Sequence, residues 1–348
     1  MALEAVATGL TELGHDVVLF GGGPPRPDRP YRYRRGRLVD RTHFERWPHL
    51  PPFRSEAVYE ELTFTFGLIG RTEVVDADVS ITCGYPFVNW LLTRRPTRRK
   101  RPAHVFVTQN GDFPAASGRA EFRYFRCDGL VCTNPEYEAR NRSRWRTALI
   151  PNGVDPERFA PGPNRRAELG LPDSAPIVLM VSALIESKRV SAGIRAAAAV
   201  DGVFLVIAGD GPLRAEVDGL CADLLPGRHR RMTLPVAEMP DLYRSADVLL
   251  HMSQSESFGN IYVEALCSGL PIVAHDYTVT RWILGVDHPG LVDSTDGVAV
   301  TDAITRALDA GRASVAPLIG PATKRFSWST IAGQYHDFLL DVVRARAD

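Results

Sequence analysis

The chain lacks long hydrophobic runs, paired cysteines and an excess of either charge. No apolar stretch among its 348 residues approaches the roughly 18 that a membrane-spanning helix needs, and no basic-then-apolar signal pattern stands at its start. The five cysteines lack C-x₂-C spacing, and the nine histidines include no H-E-x-x-H pattern. We therefore expect reduced thiols, no metal site, no transmembrane segment and a cytoplasmic protein, with membrane association left open.

The charges are balanced, because the chain has 41 lysines and arginines and 41 aspartates and glutamates. A balanced chain has no global field that attracts nucleic acid, so no nucleic-acid partner is expected, and any attraction to a membrane must be local. One local candidate is the basic run at 94–101, which follows Trp90, Leu91 and Leu92. Contact of this run with anionic lipid or an acidic acceptor competes with a solvated loop, the more common role.

The length favours two domains, and 45% apolar with 24% charged residues is ordinary for a globular protein. A helix is predicted over 1–14, and 21–55 is predicted to be irregular. Apolar runs that alternate with helical stretches predict a parallel sheet. The predicted strands of the first half lie at 16–20, 78–82, 103–108, 129–133 and 147–150.

A turn at 151–153, followed by a helix N-cap and proline at Asp155 and Pro156, marks the predicted domain boundary. Beyond it the alternation restarts and predicts a complete doubly wound domain. The predicted strands there lie at 176–182, 203–208, 231–234, 247–252 and 271–275. The sequence thus predicts domains at 1–150 and 151–327 and a C-terminal helix within 328–348.

The segment 253–275, SQSESFGNIYVEALCSGLPIVAH, is the most informative part of the chain. It predicts a turn from a buried strand into a helix over 260–269. Glycine lets a backbone approach a ligand, and a helix start offers free N–H groups, so this turn can hold a diphosphate without a metal. Its residues are Phe258, Gly259, Asn260 and Ile261. Glu256 would then face a sugar and Glu264 the ribose hydroxyls, unless both are ordinary surface glutamates.

The pattern E-S-F-G-x₄-E-A-x₃-G-x-P-I-V-A resembles the most recognisable segment of glycosyltransferase family 4, whose members are retaining enzymes of the GT-B fold. Three further segments resemble the family: the linker at 150–159, the glycine-rich loop at 208–213 and the pair Lys188-Arg189. The resemblance is strong from about 145 to 340 and loose before. It implies an α/β GT-B fold, in which two Rossmann-like, doubly wound parallel-sheet domains face an interdomain cleft.

The resemblance also implies roles for individual residues. Lys188 and Arg189 would neutralise the leaving diphosphate, while Gly209 and Gly211 would let the backbone approach the nucleoside. Leu234 and Val236 would border the base. Contacts from the backbone of that loop do not by themselves distinguish uracil from guanine.

Two positions depart from the family pattern. Ala183 stands where the family usually has an arginine against the diphosphate, so one cation is missing. Asn110 stands where many relatives have a histidine near the donor sugar; an amide can bond a sugar hydroxyl but cannot shuttle a proton. Asp112 is the nearest alternative carboxylate, although capping the turn at Gly111 is its more common role.

The chain also opens on a helix, whereas the family begins with a strand and a glycine-rich loop. A missing central strand would leave backbone groups unpaired, so we expect that roughly 15–20 residues precede this start, the usual length of a strand with its loop.

The predicted function is transfer of a hexosyl unit, with retention, from a nucleotide-diphospho-sugar to an acceptor hydroxyl. A UDP-sugar is favoured over a GDP-sugar, and no metal or cofactor is expected because the nucleotide-sugar is a substrate. The acceptor is open among a polysaccharide precursor, a lipid and a small natural product. Two alternatives remain: a degenerate GT-B protein that binds nucleotide or carbohydrate without catalysis, and a GT-B epimerase or phosphorylase.

Overall fold

The computed structural model describes residues 2–24, 28–36, 39, 56–94 and 101–347. By its contacts the chain divides into two compact units. The first comprises Met1–Asn152 and Trp328–Asp348, and the second comprises Gly153–Ser327.

The first unit contains parallel strands with helices between them. Its described strands are β1 (Val18–Gly21), β2 (Arg32–Arg35), β3 (Val79–Thr82), β4 (Ala103–Val107), β5 (Gly129–Cys132) and β6 (Thr147–Leu149). Its described helices before the second unit are α1 (Ala2–Glu12), α2 (Glu56–Leu68), α3 (Thr72–Val75), α4 (Phe87–Thr93), α5 (Phe113–Ala116) and α6 (Pro135–Asn141). Within the described ranges, the strands form one parallel sheet in the order β3-β4-β5-β6 and a separate parallel pair, β1-β2. All five residues of β4 are buried, as its apolar run predicts.

The connection predicted to be irregular at 21–55 contains a strand. Arg32 to Arg35 pair with Val18 to Gly21 in parallel register. The prediction missed this strand because R-Y-R-R has no apolar face and three of its four residues are exposed. Residues 40–55 lie outside the described part of the chain.

The second unit is a doubly wound domain. Its strands are β7 (Ile177–Val181), β8 (Phe204–Ala208), β9 (His229–Met232), β10 (Val248–His251), β11 (Ile272–His275) and β12 (Leu291–Val292). Its helices are α7 (Val190–Ala198), α8 (Arg214–Leu224), α9 (Met239–Ser245), α10 (Asn260–Cys267), α11 (Thr278–Leu284), α12 (Gly297–Ala310) and α13 (Ala316–Phe326). The last helix, α14 (Trp328–Ala347), belongs to the first unit.

Strand order places the carboxyl ends of β7 and β10 side by side. The described sheet of this unit is parallel in the order β12-β11-β10-β7-β8-β9. From β7 the chain winds outward through β8 and β9, then returns to add β10 on the other flank of β7. This reversal is a topological switch point, where ligands of open parallel sheets bind.

Two local predictions need correction, and one strand was missed. The strand predicted at 231–234 lies at His229–Met232, and β12 was not predicted because two residues give no periodicity. Asp155 starts a turn in which its Oδ1 accepts the N–H groups of Glu157 and Arg158, but no helix follows.

Candidate active site

Lys188 and Glu256, 68 residues apart in sequence, meet at the switch point. Lys188 follows β7 and Glu256 follows β10, and Lys188 Nζ donates to Glu256 Oε1 over 2.5 Å. The same Oε1 lies 2.7 Å from Nε2 of His251, the last residue of β10. A lysine and an imidazole therefore converge on one carboxylate oxygen.

The surroundings keep Glu256 ionised. Its side chain is 15% exposed, and burial alone would raise the pKa of the carboxyl. The hydrogen bonds and charges of His251 and Lys188 outweigh burial and lower the pKa of Glu256 to about 2. A carboxylate with that pKa accepts hydrogen bonds at neutral pH and does not serve as a proton donor.

His251 is the residue that the sequence prediction missed. Its side chain is 4% exposed, and its ring packs edge-on against Tyr262, with ring centroids 5.4 Å apart. The available signal was a lone polar residue in the apolar strand V-L-L-H. A histidine there is ordinarily a satisfied core residue, so sequence alone gave no reason to connect it to Glu256.

Arg189 lies beside Lys188 in sequence but contacts another group. Lys188 ends a 3₁₀ turn, Glu186–Lys188, and α7 begins only at Val190. Arg189 joins the two elements with φ at +51°, a left-handed conformation uncommon outside glycine. Its Nη2 donates to the carbonyl of Ser294 over 3.3 Å. Its predicted contact with a leaving diphosphate stays a prediction.

The turn before α10 has the geometry of a helix start that a ligand can approach. Gly259 has φ at +89°, and a Cβ there would lie 2.5 Å from the ring of Tyr262, so a side chain is excluded. Asn260 is exposed and Ile261 half-buried. The side chain of Phe258 is buried against Trp282 and Phe326. Any contact between Phe258 and a ligand would therefore come from its backbone.

Glu264 lies on α10 with one oxygen fixed. Its Oε2 accepts a hydrogen bond from the hydroxyl of the fully buried Tyr243 on α9 over 2.8 Å. Burial raises the pKa of Glu264, while the Tyr243 hydroxyl and the charge of Arg158 counteract it. Arg158 Nη2 also donates to the carbonyl of Val236 over 3.0 Å. This bond places the loop predicted to border the base near Glu264, the residue predicted to bind the ribose.

Leu234, on the same loop, is partly buried against the core of the second unit. Val236 is 48% exposed. Of the two predicted base-bordering side chains, Val236 is thus the one open to contact.

Gly209 and Gly211 are required by packing between two loops. A Cβ on Gly209 would lie 1.8 Å from the carbonyl oxygen of Ser182, and one on Gly211 would lie 2.6 Å from that of Leu184. The Leu184 N–H also donates to the carbonyl of Asp210 over 2.9 Å. The glycines thus hold the loop after β8 against the segment that leads from β7 to Lys188. After this loop, α8 begins at Arg214.

Asn110 and Asp112 lie in the turn after β4, in the first unit. Asn110 is exposed. Asp112 is buried, and its carboxylate accepts hydrogen bonds from Arg140 and Asn141 at 2.8 to 3.0 Å. The carboxylate of Asp112 is therefore held in an internal ion pair with Arg140. It is not available near the donor sugar as the alternative to Asn110.

The described residues show neither a metal-binding cluster nor a helix that could span a membrane. No cluster of three or more His, Cys, Asp or Glu side chains is arranged to hold a metal ion in that part of the chain. Among its helices, none combines the length and apolar character needed to cross a membrane. Residues 95–100 of the basic run lie outside the description.

Two family models match consecutive parts of the chain. The model described as Glycosyltransferase Family 4 matches residues 2–158, and that described as Glycosyl transferases group 1 matches residues 163–315. The chain belongs to glycosyltransferase family 4. Both halves of the resemblance, including the looser first half, are thereby confirmed.

Curated relatives match this chain over shorter stretches than the family models do. The D-inositol 3-phosphate glycosyltransferase of Mycolicibacterium smegmatis is 33% identical over 222 residues, which is 58% of this chain and 50% of that protein. The protein of the same name from Mycobacterium bovis is 39% identical over 138 residues, 37% of this chain and 29% of that protein. The chain thus spans half or less of the length of these relatives.

Solved structures show that the fold is GT-B, as predicted. Sucrose-phosphate synthase from Thermosynechococcus elongatus superposes with a TM-score of 0.77 at 21% identity, covering 98% of this chain and 92% of that one. HepE from Anabaena, in complex with UDP and glucose, superposes with a TM-score of 0.72 at 16% identity, covering 97% and 94%.

Proposed function

We propose that this chain is a retaining, metal-independent glycosyltransferase that moves a hexosyl unit from a UDP-sugar to an acceptor hydroxyl. Family membership supports the reaction class. The names of the inositol 3-phosphate relatives favour a small polyol or sugar acceptor. Neighbours solved with UDP, UDP-glucose or UDP-2-fluoro glucose favour uracil as the base.

The observation that carries the proposal is the convergence of Lys188 and His251 on Glu256 at the switch point. A nucleotide-sugar bound there would place its diphosphate at the α10 start, where the positive end of the helix dipole and Lys188 offset the charge that builds on the leaving group. The ionised Glu256 would accept hydrogen bonds from sugar hydroxyls and hold the anomeric carbon in position for attack. Glu264, oriented by Tyr243, would accept from the ribose hydroxyls.

Retention follows in this scheme from attack on the same face that the diphosphate leaves. A double displacement would need a carboxylate nucleophile beside the anomeric carbon. Glu256 is held by two partners and serves better as a hydrogen-bond acceptor for the sugar. The scheme therefore uses leaving-group stabilisation and positioning, without a covalent intermediate.

Thermal unfolding with UDP, GDP, ADP and TDP tests the donor class. A nucleotide at a hundredfold its dissociation constant adds about 2.7 kcal/mol to the free energy of unfolding, so a shift with UDP alone is expected. A shift with GDP or ADP alone would reject the UDP assignment.

A transfer assay with Glu256→Gln tests the site. The variant should lose transfer by about a hundredfold or more while keeping the UDP shift, because the lost contact is to the sugar. The matched control is Glu186→Gln, on the exposed end of the Glu186–Lys188 turn. Full transfer by Glu256→Gln would reject the assignment, and UDP binding without transfer from any donor by the unmodified chain would favour the non-catalytic binder.

A further inference from the structure

An open apolar groove lies on the first unit between α2 and α4, and none of the residues assigned above lines it. It has a volume of about 300 Å³. The lining side chains are Leu62, Thr65, Phe66, Ile69, Phe87, Trp90, Leu91 and Arg94. The Thr65 hydroxyl donates to the carbonyl of Glu61 on its own helix, so it needs no hydrogen-bond partner inside the groove. Among the described residues that line the groove, Arg94 is the one with a charged side chain.

The groove comes from helical spacing on both elements. Leu62 and Phe66 stand four residues apart on α2, and Ile69 directly follows that helix three residues later; Phe87, Trp90 and Leu91 stand at i, i+3 and i+4 on one face of α4. The α2 face is left open: Phe66 is 63% exposed and Ile69 56%. Single exposed apolar residues are ordinary, but two large ones that border one apolar groove mark an interaction surface.

One end of the groove is aromatic and cationic. The guanidinium of Arg94 lies 5.7 Å from the ring centre of Trp90 and 5.3 Å from that of Tyr124, and Arg123 lies 4.4 Å from the Tyr124 ring. Arg119 and Arg126, near Tyr124 in sequence, are exposed too, against one exposed acid in that segment, Glu121. Because the whole chain has equal numbers of acidic and basic residues, this end is a local positive excess.

We propose that the α2–α4 groove docks the chain on a lipid surface that carries anionic headgroups. The hydrocarbon of the leaflet that the chain contacts would cover Phe66 and Ile69, while Tyr124 and Trp90 lie at headgroup level, as amphipathic aromatic rings do at membrane interfaces. Arg94 and Arg123 would contact lipid phosphates while their stems cover apolar surface. An apolar groove alone would fit a helix of another protein equally well; the arginine-rich end favours the anionic surface.

Co-sedimentation with vesicles tests the proposal on the full chain. Vesicles of phosphatidylcholine alone are compared with vesicles that also contain phosphatidylglycerol, at low and high salt. We expect binding to the mixed vesicles that weakens with salt, and little binding to neutral ones. Equal binding to both kinds of vesicle, or binding to neither, would overturn the proposal.

Two pairs of variants separate the apolar and charged contributions. Phe66→Ser with Ile69→Ser should weaken binding by at least about tenfold, from the apolar area lost. Arg94→Gln with Arg123→Gln should weaken it by about fivefold per arginine. The matched controls are Val286→Ser with Val298→Ser, both 72% exposed on the second unit, and Arg195→Gln with Arg306→Gln, also exposed there. Controls that lose as much binding as the groove variants would contradict the assignment to α2–α4.

Sedimentation velocity without vesicles distinguishes the other occupants. If the unmodified chain is a dimer and Phe66→Ser with Ile69→Ser makes it a monomer, a second copy of the chain fills the groove. That result would overturn the lipid assignment. Vesicle binding requires neither donor nor transfer, so its failure leaves the proposed function intact, and the UDP shift serves as the folding control for every variant.

Discussion

At Glu256 a single carboxylate oxygen accepts from both Lys188 and His251. The two donors hold the carboxylate in one orientation, and this fixed acceptor is what a sugar-positioning residue needs. Sequence motifs identified Glu256 and Lys188. They did not identify His251, because its polar ring stands in an otherwise apolar strand and its partner follows a loop whose path only the fold defines.

His251 is predicted to position Glu256. In His251→Leu the pKa of Glu256 should rise toward its ordinary value of 4.5, since one of the two groups that lower it is gone. We expect the turnover number to fall about tenfold, the size of one lost hydrogen bond to a charged group, and the acid limb of the rate–pH profile to move to higher pH. Initial rates across pH measure both.

His251→Gln keeps an N–H donor and should recover part of the rate. A His251→Leu enzyme with an unchanged acid limb would show that the histidine only fills space.

Glu256 should also make stability depend on pH. Its folded pKa of about 2 lies below its ordinary 4.5, so the unfolded chain binds the extra proton. The stabilisation, on the order of 2 kcal/mol, is complete above about pH 4.5 and is lost as the pH falls toward 2. Urea unfolding across this range should show a weaker pH dependence for Glu256→Gln than for Glu186→Gln; matching curves would contradict the predicted pKa.

At the scale of elements, the start of α10 was readable from sequence, but what fixes its other end was not. Arg312 follows α12 and donates to five backbone carbonyls at 2.7 to 3.1 Å. Those carbonyls belong to Tyr243, Arg244, Ala246, Ser268 and Gly269. One guanidinium therefore joins the carboxyl ends of α9, which carries Tyr243, and α10, which carries Glu264.

Arg312→Met is predicted to destabilise the second unit by about 3 kcal/mol or more, because several buried carbonyls lose their donor together. The free energy of unfolding in urea measures this, and Arg306→Met, at an exposed position on α12, is the matched control. We expect UDP affinity to fall as well, since Tyr243 would no longer hold Glu264 in place. Equal free energies of unfolding for the two variants would show that the five hydrogen bonds make no net contribution to stability.

At the scale of the whole molecule, the chain's two end helices pack together within the first unit. The contact is close: a Cβ on Gly9 of α1 would lie 2.4 Å from the Cβ of Ala332 on α14. Ile331 and Tyr335, which stand four residues apart and so share one face of α14, are buried there. The apolar face was predictable from its spacing, but its partner lies more than 300 residues away in sequence.

Gly9→Val should push α1 away from α14 and cost about 1–3 kcal/mol, as overpacking in a core does. The matched control is Gly333→Ala on α14, where an added Cβ meets nothing within 4 Å and better helix propensity should stabilise slightly. Hydrogen exchange should show loss of protection in the first unit of Gly9→Val with the second unit unchanged. An equal loss of hydrogen-exchange protection in both units would contradict a local clash between α1 and α14.

The sequence by itself determined the class of fold, the positions of most strands to within two residues, and the glycine turn with Glu256 and Glu264. These features follow from local periodicity, turn chemistry and motif spacing, which short segments express on their own. Only the tertiary structure decided that His251 holds Glu256, that Phe258 is buried and that Asp112 is already paired. The physical reason is tertiary packing, because which side chains meet depends on which elements become neighbours. Lys188 reaches Glu256, for example, only because β7 and β10 become neighbours after the chain reverses.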